Sequence, residues 1–210
     1  MTINFKELHN IEKALEKYKK SKLLIVSKNQ SFSSVKNLID NGYNLFGENR
    51  VQEAFNKFKN FDEQSYILHL IGPLQTNKVK IALNLFHVIQ SVDRKSLVLE
   101  ISKQTKKQNN ILTKIFYIQV NIGSENQKSG VYPEHVSELY DFCLINNLKI
   151  SGLMCIPPFG QDPIPYFNHM KKIRDSIDKN MILSMGMSND YELSLKCGSN
   201  MIRIGSKIFT

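Results

Sequence analysis

The sequence has no run of about 18 apolar residues, the length that a membrane-spanning helix requires. Residues 1–22 are charged and helical in pattern, and they lack the apolar core and the cleavage site of a signal peptide. Cysteines are few and far apart, at Cys143, Cys155 and Cys197, with no Cys-x-x-Cys pair. This spacing indicates neither a disulfide framework nor a metal site. We therefore expect a protein of the reducing cytoplasm, without membrane association.

Arginine is also scarce, since only Arg50, Arg94, Arg174 and Arg203 stand among the 28 lysines and arginines. The formal net charge of +9 raises the hypothesis of nucleic-acid binding. However, the lysines are spread along the chain, and planar guanidinium groups suit a phosphate backbone better than ammonium groups do. We therefore expect no nucleic-acid partner. The opposite hypothesis predicts retention on nucleic acid that depends strongly on salt.

Length and composition predict one globular domain that spans residues 1–210, since 41% of the residues are hydrophobic. Residues 5–19 have the apolar stripe of an amphipathic helix, and strand-like apolar runs then alternate with helical patterns. The expected strands span residues 23–28, 43–47, 66–71, 87–92, 114–122, 149–154, 181–185 and 201–204.

This alternation favours parallel strands that are joined by right-handed crossovers. The repeated units predict an α/β fold, a (β/α)8 TIM-type barrel with an extra N-terminal helix. An open doubly wound sheet is the structural alternative, although no G-x-G-x-x-G sequence follows the first strand.

The first predicted strand has the sequence LLIVSK, at residues 23–28, and ends in a lysine. Because side chains alternate along a strand, Lys28 shares one face with Leu24 and Val26. On the inner face of a barrel the amine of Lys28 would be desolvated, and such a lysine can form a Schiff base with an aldehyde. The alternative is a lysine at a strand end that extends into water.

The seventh predicted strand leads into SMGMSND, at residues 184–190. Phosphate commonly binds near the ends of strands seven and eight of such barrels. The glycine allows backbone to approach a ligand, and Ser188 would lie at a helix N-terminus, where free N–H groups attract an anion. Ser188 would otherwise only cap its own helix.

The eighth predicted strand continues into Gly205 and Ser206. Alternation places Arg203 opposite Ile202 and Ile204, so it points into the barrel if the isoleucines contact the outer helices. A buried arginine needs a partner, and an acidic side chain from another strand is one alternative. Gly205 and Ser206 would add backbone donors and a hydroxyl at the same rim.

The first and last strands of a closed barrel are neighbours, about 4.8 Å apart. Lys28 and Arg203 would therefore lie side by side and face inward, next to the groups suited to phosphate. An amine for an aldehyde, a cationic donor for a ring nitrogen and an anion site together describe a site for pyridoxal 5'-phosphate (PLP).

Seven motifs follow one another along nearly the whole chain: VSK at 26–28, FGENxVQE at 46–53, HxIGxLQxNK at 69–78, SxxxKSG at 124–130, GLM at 152–154, GMSxD at 186–190 and RIGS at 203–206. With them the sequence resembles the pyridoxal phosphate homeostasis proteins. That family is similar to the barrel domain of bacterial alanine racemase without its second, β-rich domain. The resemblance implies a protein that binds PLP, keeps free PLP low and influences amino- and keto-acid balance, without established catalytic turnover.

The resemblance also implies how the residues bind PLP. Lys28 would hold the cofactor as a Schiff base, while Ser188, Gly205 and Ser206 would bind its phosphate. PLP-dependent apo-enzymes would be acceptors, and the lack of a second domain favours a monomer.

Arg203 would face the pyridine nitrogen, and Asn49 and Met154 would lie near the ring. An arginine there keeps its own proton and so disfavours a pyridinium, which leaves the ring a weak electron sink. The chain departs from the family pattern after Met154, where it reads CIPP, and at its end, IFT at 208–210, where the family usually continues.

Three other residues carry weaker hypotheses. Lys128 would take PLP transiently during its transfer, or is simply a solvated loop lysine. His69 is expected to be a satisfied core histidine, and Glu48 would orient Asn49 or have no role.

Two enzymatic functions remain as alternatives. A PLP-dependent racemase needs two bases on opposite faces of the substrate, and Lys28 supplies one. In alanine racemase the other is a tyrosine outside the barrel domain, which disfavours this function here. A Schiff-base aldolase on the same fold would be trapped by borohydride with a sugar phosphate and would hold no chromophore.

Overall fold

The computed structural model describes residues 2–108 and 110–209. In these residues the chain forms eight parallel strands that pair in chain order, and the last strand pairs with the first, so the sheet closes into a barrel. This topology confirms the predicted (β/α)8 barrel and excludes the open doubly wound sheet. The strands are β1 (Lys22–Val26), β2 (Leu45–Glu48), β3 (Ile67–Leu70), β4 (Val88–Val92), β5 (Ile115–Val120), β6 (Ile150–Cys155), β7 (Ile182–Ser184) and β8 (Met201–Ile204).

The α-helices of the described chain lie before β1 and after each of the first seven strands. They are α1 (Phe5–Leu15), α2 (Phe32–Asp40), α3 (Val51–Phe58), α4 (Val79–Leu85), α5 (Lys95–Lys107), α6 (Val136–Ile145), α7 (Ile164–Ile177) and α8 (Tyr191–Lys196). Short 3-10 helices at Glu63–Ser65, Thr76–Lys78 and Pro133–His135 precede β3, α4 and α6.

The first helix is shorter than the sequence predicts. The helix expected at 5–19 ends at Leu15, because the chain then turns and the amide of Tyr18 donates to the carbonyl of Leu15 at 2.7 Å. The segment before α4 forms a 3-10 turn at Thr76–Lys78, and Lys78, with φ −103° and ψ −3°, interrupts the regular backbone there.

Side chains on the strands alternate between an outer layer under the helices and the barrel interior. Phe46 of β2 points outward, since its ring centre lies 5.9 Å from that of Phe58 on α3. Gly47 faces the interior, where a Cβ atom would lie only 2.5 Å from Cδ2 of Leu24 on β1. The outer layer holds the main hydrophobic core, so interior positions near the strand ends are free for functional side chains.

Helix α1 packs at the seam where β8 meets β1. Asn4 begins the helix by accepting a hydrogen bond from the amide of Glu7 at 3.0 Å. The amide of Asn4 donates to the carbonyl of Ile208, just after β8, at 2.8 Å. Pairing across the seam aligns Leu24 with Arg203, which brings the carboxyl ends of the first and last strands to one rim of the barrel.

Across residues 2–108 and 110–209, no helix combines the length and the apolarity that crossing a membrane requires. The same residues contain no group of three or more His, Cys, Asp or Glu side chains arranged to hold a metal ion.

Candidate functional site at the C-terminal mouth of the barrel

Arg203 projects into the barrel interior from β8, where it is only 3% exposed. Nη1 donates to the hydroxyl of Ser184 at 2.9 Å, and Nη2 donates to the carbonyl of Cys155 at 2.8 Å. The alternative of an acidic partner is wrong, because Arg203 forms no ion pair with the carboxylates of the described chain. Burial lowers the pKa of the guanidinium from its ordinary value. Its other N–H groups have no acceptor among the described residues.

Lys28 lies at the same mouth of the barrel, but not beside Arg203. Strand β1 ends at Val26, and the register pairs Leu24 with Arg203. Lys28 is four residues further along the chain than Leu24 and two residues beyond the end of the strand. It occupies an exposed turn. The expectation of a desolvated amine side by side with the guanidinium is therefore wrong, and the amine of Lys28 is open to solvent at the rim.

The turn that contains Lys28 packs on a buried ion pair. Lys57 of α3, whose side chain is 6% exposed, lies 2.7 Å from Oε1 of the fully buried Glu48. Nζ of Lys57 also donates to the carbonyl oxygen of Ser27 at 2.5 Å. The hydroxyl of Ser27 in turn donates to Oε1 of Glu48 at 2.7 Å. The side chain and the carbonyl group of the residue before Lys28 are therefore both fixed.

The residue after Lys28 is held by the same helix. The amide of Asn29 donates to Oε1 of Glu53 at 2.5 Å, and that oxygen lies 3.2 Å from Nζ of Lys57. Asn29 has a φ of 60°, a left-handed conformation that asparagine adopts more readily than most residues. Helix α3 therefore anchors the backbone on both sides of Lys28.

Glu48 orients Ser27 rather than Asn49. Burial raises the pKa of the Glu48 carboxyl group, while the hydrogen bond and the charge of Lys57 act in the opposite direction. Its Oε2 atom is buried and has no hydrogen-bond partner among the described residues. Lys57 is therefore the cation that compensates this buried carboxyl group.

Ser188 and Ser206 lie together in the turns that follow β7 and β8. The hydroxyl of Ser206 donates to that of Ser188 at 3.0 Å. In the described part of the chain, the backbone amides of both serines have no hydrogen-bond acceptor. Ser188 does not cap α8, because the N-cap is Asp190, whose Oδ1 atom accepts from the amide of Met187 at 2.6 Å. The two turns together offer hydroxyl groups and free amides to an anion.

Two glycines allow these turns to approach their neighbours closely. Gly186 has a φ of +96°, and a Cβ atom there would lie 2.0 Å from Oγ of Ser194, so a larger residue does not fit. A Cβ atom on Gly205 would lie 3.0 Å from the carbonyl oxygen of Val26. Gly205 thus keeps the last strand in close contact with β1 up to the turn that contains Lys28.

Met154 and Asn49 occupy different parts of this mouth. Met154 is fully buried and pairs in register with Ser184, the residue that contacts Arg203. Asn49 is half-buried and lines a cavity of about 660 Å³ at the ends of β2 to β4. Gly72 packs on its backbone, since a Cβ atom there would lie 2.2 Å from the carbonyl oxygen of Asn49. Met154 is therefore adjacent to the guanidinium, whereas Asn49 lies further around the rim.

Lys128 is less solvated than a free loop lysine. Its amine forms an ion pair with Glu125 and donates to the carbonyl oxygen of Pro157 at 3.1 Å. Transient binding of PLP by Lys128 stays a prediction.

Comparison with known proteins supports the motif-based resemblance. The family described as "Alanine racemase, N-terminal domain" matches residues 6–210. A pyridoxal phosphate homeostasis protein of Aquifex aeolicus is 38% identical over 215 residues, which cover 96% of this chain and 93% of the relative. The chain belongs to the pyridoxal phosphate homeostasis protein family. The chain also belongs to the wider family described as alanine racemase N-terminal domains.

Two solved structures have folds similar to the fold of this protein. PipY of Synechococcus elongatus PCC7942, solved with PLP bound, has a TM-score of 0.79 and 27% identity, and the match covers 94% of this chain and 99% of PipY. Alanine racemase of Clostridium difficile 630 has a TM-score of 0.74 and 15% identity, and the match covers 94% of this chain but 54% of the racemase. The second likeness concerns the fold alone.

Sequence reasoning missed three residues of this candidate site: Glu53, Lys57 and Ser184. The i,i+4 spacing of Glu53 and Lys57 predicts an ion pair on a helix face, but not that the pair lies under the turn of Lys28. Ser184 precedes the GMSxD motif, and strand alternation alone would have placed it on the interior face.

Proposed function

We propose that this protein binds PLP as a Schiff base on Lys28 and acts as a carrier that regulates intracellular PLP. In this role it influences amino- and keto-acid balance and passes PLP to PLP-dependent apo-enzymes. It works as one domain, residues 1–210, as a monomer in the cytoplasm, and without catalysing a reaction. The names of relatives that are 33–38% identical support a homeostasis role rather than an enzymatic one.

The observation that supports PLP best is a set of unfilled hydrogen-bond donors at one mouth of the barrel. Arg203 is buried without a carboxylate partner and has N–H groups to spare, and an arginine in that state needs a further acceptor. The ring nitrogen of PLP is such an acceptor. The phosphate group matches the paired hydroxyls and free amides of Ser188 and Ser206, with Gly205 between the strand and the turn.

The remaining residues supply the amine and the ring environment. Exposure at the rim leaves Lys28 accessible to an aldehyde that arrives from solvent, while Lys57 and Glu53 hold its turn in place. Met154 would contact the PLP ring beside Arg203, and Asn49 would cover the ring from the side of β2. When bound, PLP supplies an aldehyde and an electron-withdrawing ring.

Arg203 suits a carrier, or a racemase that needs only modest stabilisation of a carbanion. The guanidinium keeps its proton and does not give it to the ring nitrogen, so the ring withdraws electrons weakly. A weak electron sink provides little help in breaking bonds to the α-carbon of an amino acid. It does not reduce the ability of Lys28 to hold the aldehyde.

A racemase is the alternative function, because the barrel has the fold of the alanine racemase barrel. The match covers 54% of that racemase, and racemisation requires two bases, of which Lys28 would supply one. An assay of D- and L-alanine interconversion with PLP-loaded protein separates the two functions. Turnover that depends on Lys28 would contradict a purely carrier role.

Titration with PLP tests the proposal directly. One equivalent of PLP is expected to give a Schiff-base absorbance band in the wild type and in Lys36→Ala, a control at an exposed site on α2. Lys28→Ala is expected to lack the band. If the band persists in Lys28→Ala but disappears when Lys128→Ala is added, the amine is that of Lys128 and the assignment is wrong. Protein that takes up no PLP would contradict the function itself.

A further inference from the structure

The opposite mouth of the barrel, where the strands begin, contains a cavity of about 620 Å³. Small-molecule pockets typically measure about 300–1,000 Å³. Lys22, Ile67 and Ile115, at the first positions of their strands, are among its walls, whereas neither Lys28 nor Arg203 lines it. We call it the N-terminal cavity. It is separate from the candidate PLP site, which lies at the other end of the strands.

The walls of the N-terminal cavity are mainly apolar. Ile67 and Ile115 are 42% and 39% exposed at its mouth, while Val88 and Met201 are buried further in. Water in contact with such walls is unfavourable, and a ligand with an apolar body would release it. Glu12, Lys20 and Lys22 also line the cavity, but these apolar walls favour a ligand with an apolar body.

His69 contributes a polar group to this apolar space. The ring is 3% exposed, and Nε2 of Gln90 donates to its Nδ1 atom at 2.6 Å. A neutral ring that accepts at Nδ1 carries its proton on Nε2, which has no acceptor among the described residues. Burial, with smaller effects of His87 and Lys22, lowers the pKa of His69 to about 3, so the ring is neutral near pH 7.

Tyr117 contributes a second polar group from β5. The residue is 4% exposed and lines the cavity, and its hydroxyl group has no hydrogen-bond partner in residues 2–108 and 110–209. The hydroxyl group is therefore available to a ligand in the cavity. Burial raises the pKa of Tyr117 to about 12, so the hydroxyl group keeps its proton and is able to donate it.

We propose that the N-terminal cavity is a second ligand site of this protein. It takes a small molecule with an aromatic or branched apolar body and a hydrogen-bond acceptor, such as a carbonyl oxygen. The body packs between Val88 and Met201, and the acceptor receives a hydrogen bond from Tyr117 or from His69. Tyr117 and His69 each offer a donor beside the apolar walls, so a ligand whose polar group is only a donor does not satisfy them.

Two probes of the same shape test this proposal. Acetophenone has an aromatic ring and a carbonyl group, and ethylbenzene is nearly the same molecule without the acceptor. Protein labelled with 13C at the methionine methyl groups is titrated with each probe and followed by NMR. We expect a saturable shift of the Met201 methyl signal, tighter binding of acetophenone than of ethylbenzene, and no shift of Met187 in the opposite, C-terminal turn.

Variants separate a built site from general hydrophobic adsorption. Tyr117→Phe removes only the hydroxyl group and is expected to weaken acetophenone binding roughly 2- to 10-fold, the effect of one hydrogen bond, without changing that of ethylbenzene. Tyr140→Phe, on the outer helix α6, is expected to change neither. Val88→Phe fills the cavity and is expected to abolish binding of both probes.

The same titration with and without bound PLP completes the test. Binding of acetophenone is expected to be unchanged by PLP, because the two sites lie at opposite ends of the barrel. The proposal is overturned if Met201 does not shift up to the solubility limit of the probes. It is also overturned if Val88→Phe leaves the shift intact, if acetophenone binds no better than ethylbenzene, or if PLP displaces the probe.

Discussion

Lys57 donates a hydrogen bond of 2.5 Å from its Nζ atom to the carbonyl oxygen of Ser27. The contact joins the buried ion pair between Lys57 on α3 and Glu48 on β2 to the residue that precedes Lys28. Glu48 has no other cation within reach among the described residues. Lys57 therefore balances a buried charge and positions the candidate PLP lysine at the same time.

Lys57→Met removes the cation and leaves the carboxyl group of Glu48 buried without a counter-ion, with only the hydroxyl group of Ser27 as a donor. We expect the free energy of unfolding to fall by about 3–5 kcal/mol, the usual cost of breaking a buried pair. PLP binding by Lys28 should weaken as its turn loosens. Urea unfolding and PLP titration measure the two effects. Lys36→Met, which breaks an exposed pair with Asp40, should affect neither, and equal behaviour of the two variants would contradict this role.

His69 predicts a specific dependence of stability on pH. The unfolded imidazole binds a proton below about pH 6.5, whereas burial lowers the pKa of folded His69 to about 3. Between these values the unfolded state binds one proton more. Stability from this group is therefore complete above pH 6.5 and is lost as the pH falls toward 3, by about 1.4 kcal/mol per pH unit.

Urea unfolding between pH 6.5 and pH 4 measures this contribution. His69→Phe should make the loss of stability with falling pH less steep, while His135→Phe, at an exposed position, should keep the wild-type slope. Identical slopes in all three proteins would show that His69 is not the group responsible.

Ser188 and Ser206 are predicted to recognise the phosphate of PLP. Ser206→Ala and Ser188→Ala should each weaken PLP binding about tenfold or more, since a hydrogen bond to a charged group contributes about 1.5–3 kcal/mol. Pyridoxal, which lacks the phosphate, should bind the variants and the wild type equally. Ser176→Ala, on the exposed face of α7, is the matched control. Equal losses for PLP and pyridoxal would place the phosphate elsewhere.

Arg203→Glu tests the contact with the ring nitrogen. A carboxylate at this position favours protonation of the nitrogen, so the absorbance of bound PLP should change and exchange of α-protons of added alanine should rise. Ser184→Ala removes one hydrogen bond of Arg203 but keeps the guanidinium, and it should leave the exchange rate unchanged. Unaltered spectra and exchange in a folded Arg203→Glu protein would rule out this role.

The alternation of strand-like apolar runs with helical patterns along the sequence was sufficient to predict the barrel. Strand β8 was expected at 201–204 and occurs there, because two isoleucines alternate with an interior arginine and a glycine follows. The orientation of Arg203 followed from the same alternation. These features depend on neighbours in sequence, which is why they could be derived without coordinates.

Contacts between distant segments could not be derived in the same way. How far Lys28 lies from Arg203 along the barrel depends on the register between β1 and β8, which pairs Leu24 with Arg203. The hydrogen bond from Lys57 to Ser27 depends on how α3 packs against β1, since the two residues are 30 positions apart in sequence. The spacing of hydrophobic residues along the sequence encodes neither the register between strands nor the packing of helices on them.

Lys28 is the residue that we propose to hold PLP. Protein incubated with PLP is reduced with borohydride and digested, and the peptides are mapped by mass spectrometry. We expect one pyridoxyl group per chain, on the peptide that contains Lys28. A pyridoxyl group mainly on Lys128 or on another lysine, or no modification of the folded protein, would contradict it.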